Sequence, residues 1–296
     1  MKVFYTIIVV MAALFFISCQ KKGSDQSNDH MLKIISLAPN ITETLFMLNT
    51  TDNIIGVGEY SNYPERAKNI QVVSSISDLN LELILKLDPD VAFILPSQTK
   101  FHDQLTKIGI RCIIVDQRSI SKIIASFKTI AEELKIYSRA EVITDSLSGI
   151  IDSLRSTVKF NKTMLICVGR DLTGEINSVY TTGKNTFLDD IITLLGYENA
   201  IDTDIPYPKI NAETIISLDP YIILDLLTLK NKNDIETAVR SWNSLHSLSA
   251  VKNNRVYLFT SDYTTIPGPR IFKFMQELSD SLNNLKSRKT KNFKEY

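Results

Sequence analysis

Three cysteines, three histidines and one tryptophan among 296 residues leave little material for several common chemistries. Three cysteines cannot build a disulfide scaffold, and three histidines leave little for a histidine-built metal site. A charge excess is missing too, because 33 Lys and Arg face 33 Asp and Glu. That balance argues against a nucleic-acid binder, which usually carries a basic excess, and against an acidic disordered chain. Catalytic signatures are absent: no GxxxxGK[ST], HExxH or GxSxG occurs, and Gly56 and Gly58 are followed by Ser61 where a dinucleotide loop has its third glycine. His102 and His246 lie in polar surroundings without a partner at ligand spacing and read as surface or capping residues. The acidic pair Asp189 and Asp190 reads as a solvated helix face. The expectation is therefore not an enzyme. What the chain does have is 44% hydrophobic residues and the length of one large or two ordinary domains.

The one long apolar run is N-terminal. Residues 1–19 read MKVFYTIIVVMAALFFISC, with Lys2 ahead of Val3–Ile17 and Ser18-Cys19 closing it. This is the charged start, apolar middle and small-residue exit of a secretory signal, and about 15 apolar residues is short of the roughly 20 that span a bilayer. The ending resembles the bacterial lipoprotein cleavage box, in which Cys19 becomes the lipidated first residue. An uncleaved anchor and an ordinary cleaved signal are the other readings. Gln20–Asp29 contains no apolar residue and reads as a flexible tether. The expected mature chain starts at Cys19, with net charge about −1 because only Lys2 is lost. Cys112 and Cys167 sit inside apolar runs and read as small hydrophobes.

An internal repeat organises the rest. Asn80–Asp90 (NLELILKLDPD) runs into Val91–Leu95, and 131 residues later Asn211–Tyr221 (NAETIISLDPY) runs into Ile222–Leu224. Six of eleven positions agree: Asn, Glu, Ile, Leu, Asp and Pro. Each copy has an Asn suited to cap a helix, an acid in the first turn, a short amphipathic helix, a Pro stop and an apolar strand. So long a period indicates two similar lobes and excludes a solenoid.

Short β-branched runs separated by helical segments fit two α/β lobes with parallel sheets. They are Ile34–Leu37, Ile54–Val57, Val91–Leu95 and Cys112–Val115, then Met164–Val168, Ile222–Leu226 and Val256–Phe259. Between them, Ile143, Leu147, Ile150, Ile151, Leu154 and Val158 mark one face of a long helix over 136–160, a strut where a Gly/Ser linker would flex. A closing helix follows Pro269, with Ile271, Phe274, Met275, Leu278, Leu282 and Leu285 inward. The expected division is a signal peptide over 1–18, a tether over 19–30, a first α/β lobe over 31–135, the interlobe helix over 136–160, a second α/β lobe over 161–285 and a basic tail over 286–296.

Ser36–Glu43 (SLAPNITE) followed by Gly56–Pro64 (GVGEYSNYP) resembles the first lobe of the helical-backbone binding proteins of ABC importers, the receptors for cobalamin, haem and iron–siderophores. The likeness continues through Asn80–Leu95, Thr182–Phe187, Ile205–Pro208 and Thr260–Ile271, covers about Leu32 to Leu285, and is greatest to the cobalamin-binding member. It implies two Rossmann-like α/β lobes joined by a long rigid helix, with a ligand cleft between them and no intrinsic cofactor or metal. Pro39, Tyr60, Ile76, Tyr180, Tyr207, Asp262 and Tyr263 match positions that line that cleft. Tyrosines suit a broad macrocycle rimmed with amides, because flat rings cover its faces and polar groups orient its rim. The resemblance further implies that Glu82 and Glu213, equivalent in the repeat, dock a permease dimer. The protein is then an exported, membrane-anchored lipoprotein on the periplasmic side, a monomer that binds no nucleic acid.

The sequence also departs from that pattern. Cobalamin binders of this kind use tryptophan in the cleft, yet Trp242 lies outside the matched motifs and reads as packing. Ile76, Tyr207 and Tyr263 occupy the cleft positions, and Ile266 stands where the cobalamin member has an arginine. The expected ligand is cobalamin or a related corrinoid, with haem or a ferric siderophore as the alternative. An exported enzyme reusing the fold is the remaining one.

Overall fold

Alternation within the β-branched runs sets the layers. In the computed structural model, which describes residues 32–155, 160–172, 174–229 and 231–287, Ile34 and Ile35 enter different apolar clusters on opposite faces of one sheet. Met164 and Ile166 likewise part from Leu165 and Cys167. That is the period of two expected of strands covered on both faces. The expected signal, lipidated Cys19, the tether, Val158 and the tail beyond 287 lie outside the described residues.

The first sheet is all parallel, in the order β3-β2-β1-β4-β5, from β1 (Ile34–Ser36), β2 (Ile54–Gly58), β3 (Gln71–Ser74), β4 (Val91–Ile94) and β5 (Arg111–Ile114). Its helices are α1 (Pro39–Met47), α2 (Leu81–Leu87), α3 (Thr99–Lys107) and α4 (Ile120–Leu134). A long helix, α5 (Tyr137–Leu154), follows and buries Ala140, Ile143, Leu147 and Leu154.

The second sheet is mixed. In it β6 (Thr163–Arg170), β10 (Ile222–Leu226) and β11 (Val256–Phe259) are parallel, whereas β7 (Ser178–Thr181) runs antiparallel to both β6 and β9 (Lys209–Asn211). Two-residue β8 (Glu198–Asn199) pairs with the start of β6. The helices are α6 (Phe187–Leu194), α7 (Ala212–Leu218), α8 (Lys232–Ser241), α9 (Ser249–Lys252) and α10 (Ile271–Ser287).

The repeat appears as equivalent units, α2–β4 and α7–β10. Asn80 accepts the amide of Leu83 and Asn211 that of Thr214, so each side chain satisfies one N–H left open by the first turn. Both helices stop at an aspartate in the left-handed region, Asp88 (φ 51) and Asp219 (φ 38), one residue before the proline. The units also sit alike: β4 lies between β1 and β5, and β10 between β6 and β11.

One apolar cluster joins the lobes. It runs from Ile34, Ile41 and Phe93 through Phe127 on α4 and Leu147 on α5 to Phe187, Ile222, Phe259 and Phe274 on α10. Phe259 and Phe274 meet edge to face at 5.1 Å. Among the described residues no helix is long and apolar enough to cross a membrane.

Candidate ligand-binding site

Loops at the C-terminal ends of parallel strands are where α/β sheets hold ligands, and Pro39, Tyr60, Ile76, Asp262 and Tyr263 sit on such loops. Tyr180, by contrast, lies within antiparallel strand β7 and Tyr207 in the segment before antiparallel β9. Pro39 opens α1 after β1, Tyr60 follows β2, and Ile76 caps a turn after β3 closed by the bond from the Ser75 amide to the Asp78 carbonyl. Asp262 and Tyr263 follow β11 of the other lobe. Tyr60, Ile76, Tyr180 and Tyr207 are all exposed, Ile76 by 77%.

Arg270 ties the two sets of loops together. Its Nε and Nη2 donate to the two carboxylate oxygens of Glu43 on α1 at 3.0 and 2.6 Å, and Nη1 donates to Asp262 at 2.8 Å. Its guanidinium also lies 4.2 Å from the ring centre of Tyr63 and 5.2 Å from that of Tyr263. Glu43 is buried, and desolvation raises its pKa above the usual carboxylate value while the hydrogen bonds and charge of Arg270 oppose the rise. Gly268 lets this loop approach α1, since a Cβ there would stand 3.2 Å from the Cα of Asn40. The Tyr60 loop is anchored by the bond from the Thr42 hydroxyl to that of Ser61 at 3.1 Å.

Tyr263 differs from an open cleft residue. It is only 8% exposed, and its hydroxyl donates to Glu277 at 3.0 Å, so it backs Arg270 and presents little free surface. Tyr180 and Tyr207 form a separate pair of neighbours on the second lobe. The amides of Thr181 and Gly183 donate to the carbonyls of Pro208 and Pro206, stapling the Tyr207 loop beside β7. Glycine is required at 183, because a Cβ would collide with the carbonyl oxygen of Ile205. Although Tyr207 is partly exposed, desolvation by its surroundings raises its phenol pKa, and Lys209 sits 5.5 Å over the ring of Tyr180.

A cavity of about 210 Å³ lies where the lobes meet, lined by Asn40, Leu95, Pro96, Ser97, Gln117, Arg118 and Pro267. Arg118 is held by Asp116 through two bonds, Nε at 3.0 Å and Nη2 at 2.8 Å, and Lys122 reaches the same carboxylate at 2.8 Å.

Trp242 packs as expected. It is 1% exposed and its indole N–H donates to Asp225, which also receives Arg170 at 2.7 Å, all three being buried. The reading of Asp189 and Asp190 as a solvated face is corrected. Asp189 accepts the side chain of Asn199, and half-buried Asp190 crosses to the other lobe to accept the Ile120 amide at the start of α4 at 2.8 Å. Desolvation raises the Asp190 pKa. Cys167 is buried and Cys112 half-buried, both free thiols. Glu82 and Glu213 are exposed in the first turns of α2 and α7.

Sequence reasoning passed over Glu43, Arg270, Asn40 and Gln117 as site residues. Glu43 and Arg270 stand within the matched motifs, but 227 residues separate them and no spacing rule pairs them.

Among the described residues, two α/β lobes meet along their strand-end loops. The family model of the periplasmic binding proteins matches residues 34–263, and the chain belongs to that family, whose members are non-enzymatic transport components. It is 27% identical over 84% of its length to an uncharacterised ABC transporter substrate-binding lipoprotein of Bacillus subtilis, covering 79% of that protein. To a vitamin B12-binding protein of Salmonella choleraesuis it is 26% identical, covering 86% of this chain and 91% of that one. Among solved structures it resembles the periplasmic vitamin B12 binding protein of Vibrio cholerae, with TM-score 0.73 and 21% identity over 86% of this chain and 98% of that one. The apo periplasmic heme-binding protein of Roseiflexus sp. RS-1 gives TM-score 0.71 and 21% identity over the same two shares. The fold is thus shared by a vitamin B12 binding protein and a heme-binding protein.

Proposed function

We propose that this protein is the lipid-anchored receptor of an ABC importer and captures cobalamin or a related corrinoid. The observation that carries the ligand class is the charge state of the site's border. Arg270 bonds Glu43 and Asp262, and Arg118 and Lys122 share Asp116, so three cations face three carboxylates at the interlobe loops, while Lys209 lies over the ring of exposed Tyr180. Such a surface suits a neutral macrocycle rimmed with amides better than haem propionates or an anionic siderophore, which call for unmatched cations. Relatives named as vitamin B12-binding proteins support the same choice.

Haem held through a tyrosinate is the second reading, and the exposed tyrosines favour it. At Tyr207, which is partly exposed, desolvation by its surroundings still raises the phenol pKa and so opposes the anion such a bond needs. Cys19 supplies the acyl anchor in this proposal, as the name of the Bacillus relative suggests. Glu82 and Glu213, on equivalent units of two similar lobes, offer paired carboxylates to a two-fold permease.

Titrating the purified mature protein with cyanocobalamin, haemin and ferric siderophores, followed by absorbance and calorimetry, tests the ligand. Cyanocobalamin is expected to bind at micromolar or tighter Kd. Tyr60→Ala and Tyr207→Ala should each weaken it about tenfold, the scale of about 1.4 kcal/mol, without lowering the melting temperature. Preference for haemin, or no corrinoid binding in the micromolar range, refutes the assignment.

A further inference from the structure

Two buried amide groups at the interlobe cavity are incompletely bonded, and their hydrogen-bonding senses are opposite. Gln117 is 1% exposed, and its Nε2 donates to the hydroxyls of Thr44 and Ser126, both at 2.9 Å. Those hydroxyls have already spent their single protons, Thr44 on the Asn40 carbonyl and Ser126 on the Ile123 carbonyl. They can only accept, so the Gln117 amide is fixed with its NH₂ towards them and its Oε1 left as a bare acceptor. No described residue donates to that Oε1. Asn40 is 4% exposed, and its Nδ2 has no partner among the described residues. Both residues line the same cavity of about 210 Å³, to which the second lobe contributes Pro267.

A buried donor and a buried acceptor left open are each costly, and native proteins leave them so where a ligand or water completes them. The chemical group that answers one donor and one acceptor together is a carboxamide, whose oxygen takes the Nδ2 proton and whose NH₂ meets Oε1. A carboxylate fails here, because it has no donor for Oε1. Arg270 near Asn40 is held by Glu43, and Arg118 on the cavity wall shares Asp116 with Lys122. We propose that Asn40 Nδ2 and Gln117 Oε1 form a subsite that reads a primary carboxamide on the ligand's rim. This rests on the corrinoid reading above and deepens it, because it makes the rim amides of the macrocycle a recognised feature in their own right.

Asn40→Ala removes the bare donor and no described side-chain hydrogen bond, so it should fold with a melting temperature equal to or above that of the parent. Wild type and Asn40→Ala are titrated with cyanocobalamin and with the separate monocarboxylic acids formed by mild hydrolysis of its rim amides. Wild type should bind at least one of these acids about three- to tenfold more weakly than cyanocobalamin. Asn40→Ala should lose a similar factor for cyanocobalamin and discriminate less between amide and acid. Corrinoid binding by wild type with no difference among the acids, or with Asn40→Ala unchanged, overturns the subsite and leaves the receptor assignment standing. That is also the result if a resident water satisfies both amides. Absence of any corrinoid binding by wild type overturns both.

Discussion

Replacing Arg270 by Met isolates what the interlobe ion pair contributes. The methionine keeps an apolar stem against Tyr63 and Tyr263 but removes the only described partners of a Glu43 carboxylate that is 3% exposed. Breaking a buried pair by deleting one member costs about 3–5 kcal/mol, because the other charge stays behind in a poorly solvated place. For a chain of this size each kcal/mol lowers Tm by about 2 °C, so a fall of roughly 6–10 °C is expected at neutral pH.

The pH dependence has a definite sign. Burial already raises the Glu43 pKa above its unfolded value, and removing Arg270 lifts it further because nothing then opposes desolvation. A carboxyl with a raised folded-state pKa favours the native state most below its unfolded value, near 4.5, and that advantage is lost as pH rises through the folded value. The variant's deficit against wild type should therefore be smallest in acid and grow towards neutrality. Adding Glu43→Gln to the variant removes the stranded charge and should recover much of the loss, with a flatter pH profile. Thermal melts of the three proteins, each compared with wild type at pH 4.5, 6 and 8, read this directly. A single variant within 2 °C of wild type at neutral pH, or a double variant no better than the single, refutes the reasoning.

Two further outcomes follow from other parts of the molecule. Asp225→Ala strands a buried Arg170 and the Trp242 N–H, and should lower stability by about 3–5 kcal/mol. Trp242 is the only tryptophan, so its fluorescence should shift to the red in the same variant, and an unchanged spectrum contradicts its bond to Asp225. Reversing both Glu82 and Glu213 to Arg should abolish uptake in cells while leaving ligand affinity intact. An equal loss of affinity would move those residues from the docking face to the ligand site.

The elements that the sequence announced were those with a strong local period. Ile34–Leu37, Val91–Leu95 and Ile222–Leu226 are apolar on both faces, and Asn80 and Asn211 cap helices just where an Asn precedes an amphipathic run. Strand β3 went unread because Gln71 and Ser74 frame only two valines, and an edge strand need not be apolar throughout. Strands β7 and β9 went unread because each is short and has polar residues at both ends, Ser178 and Thr181 in β7 and Lys209 and Asn211 in β9, so the antiparallel half of the second sheet was missed and an all-parallel one expected. The aromatic residues proposed for the site rest on motif resemblance. The Arg270–Glu43 bond, the Asp190 cap on α4 and the bare amides of Asn40 and Gln117 were not legible, because each depends on residues brought together by the tertiary fold.

The apolar cluster that passes from Ile34 to Phe274 by way of α4, α5 and α10 has a consequence for how the molecule comes apart. Neither half-repeat owns a complete interior, since Phe127 and Leu147 belong to the same cluster as Phe187 and Phe274. A chain cut after Arg155 would leave both pieces with large uncovered apolar faces, so neither is an autonomous folding unit. Heat should then melt both lobes in one transition, and a ligand held mainly by one lobe protects the other to the same degree.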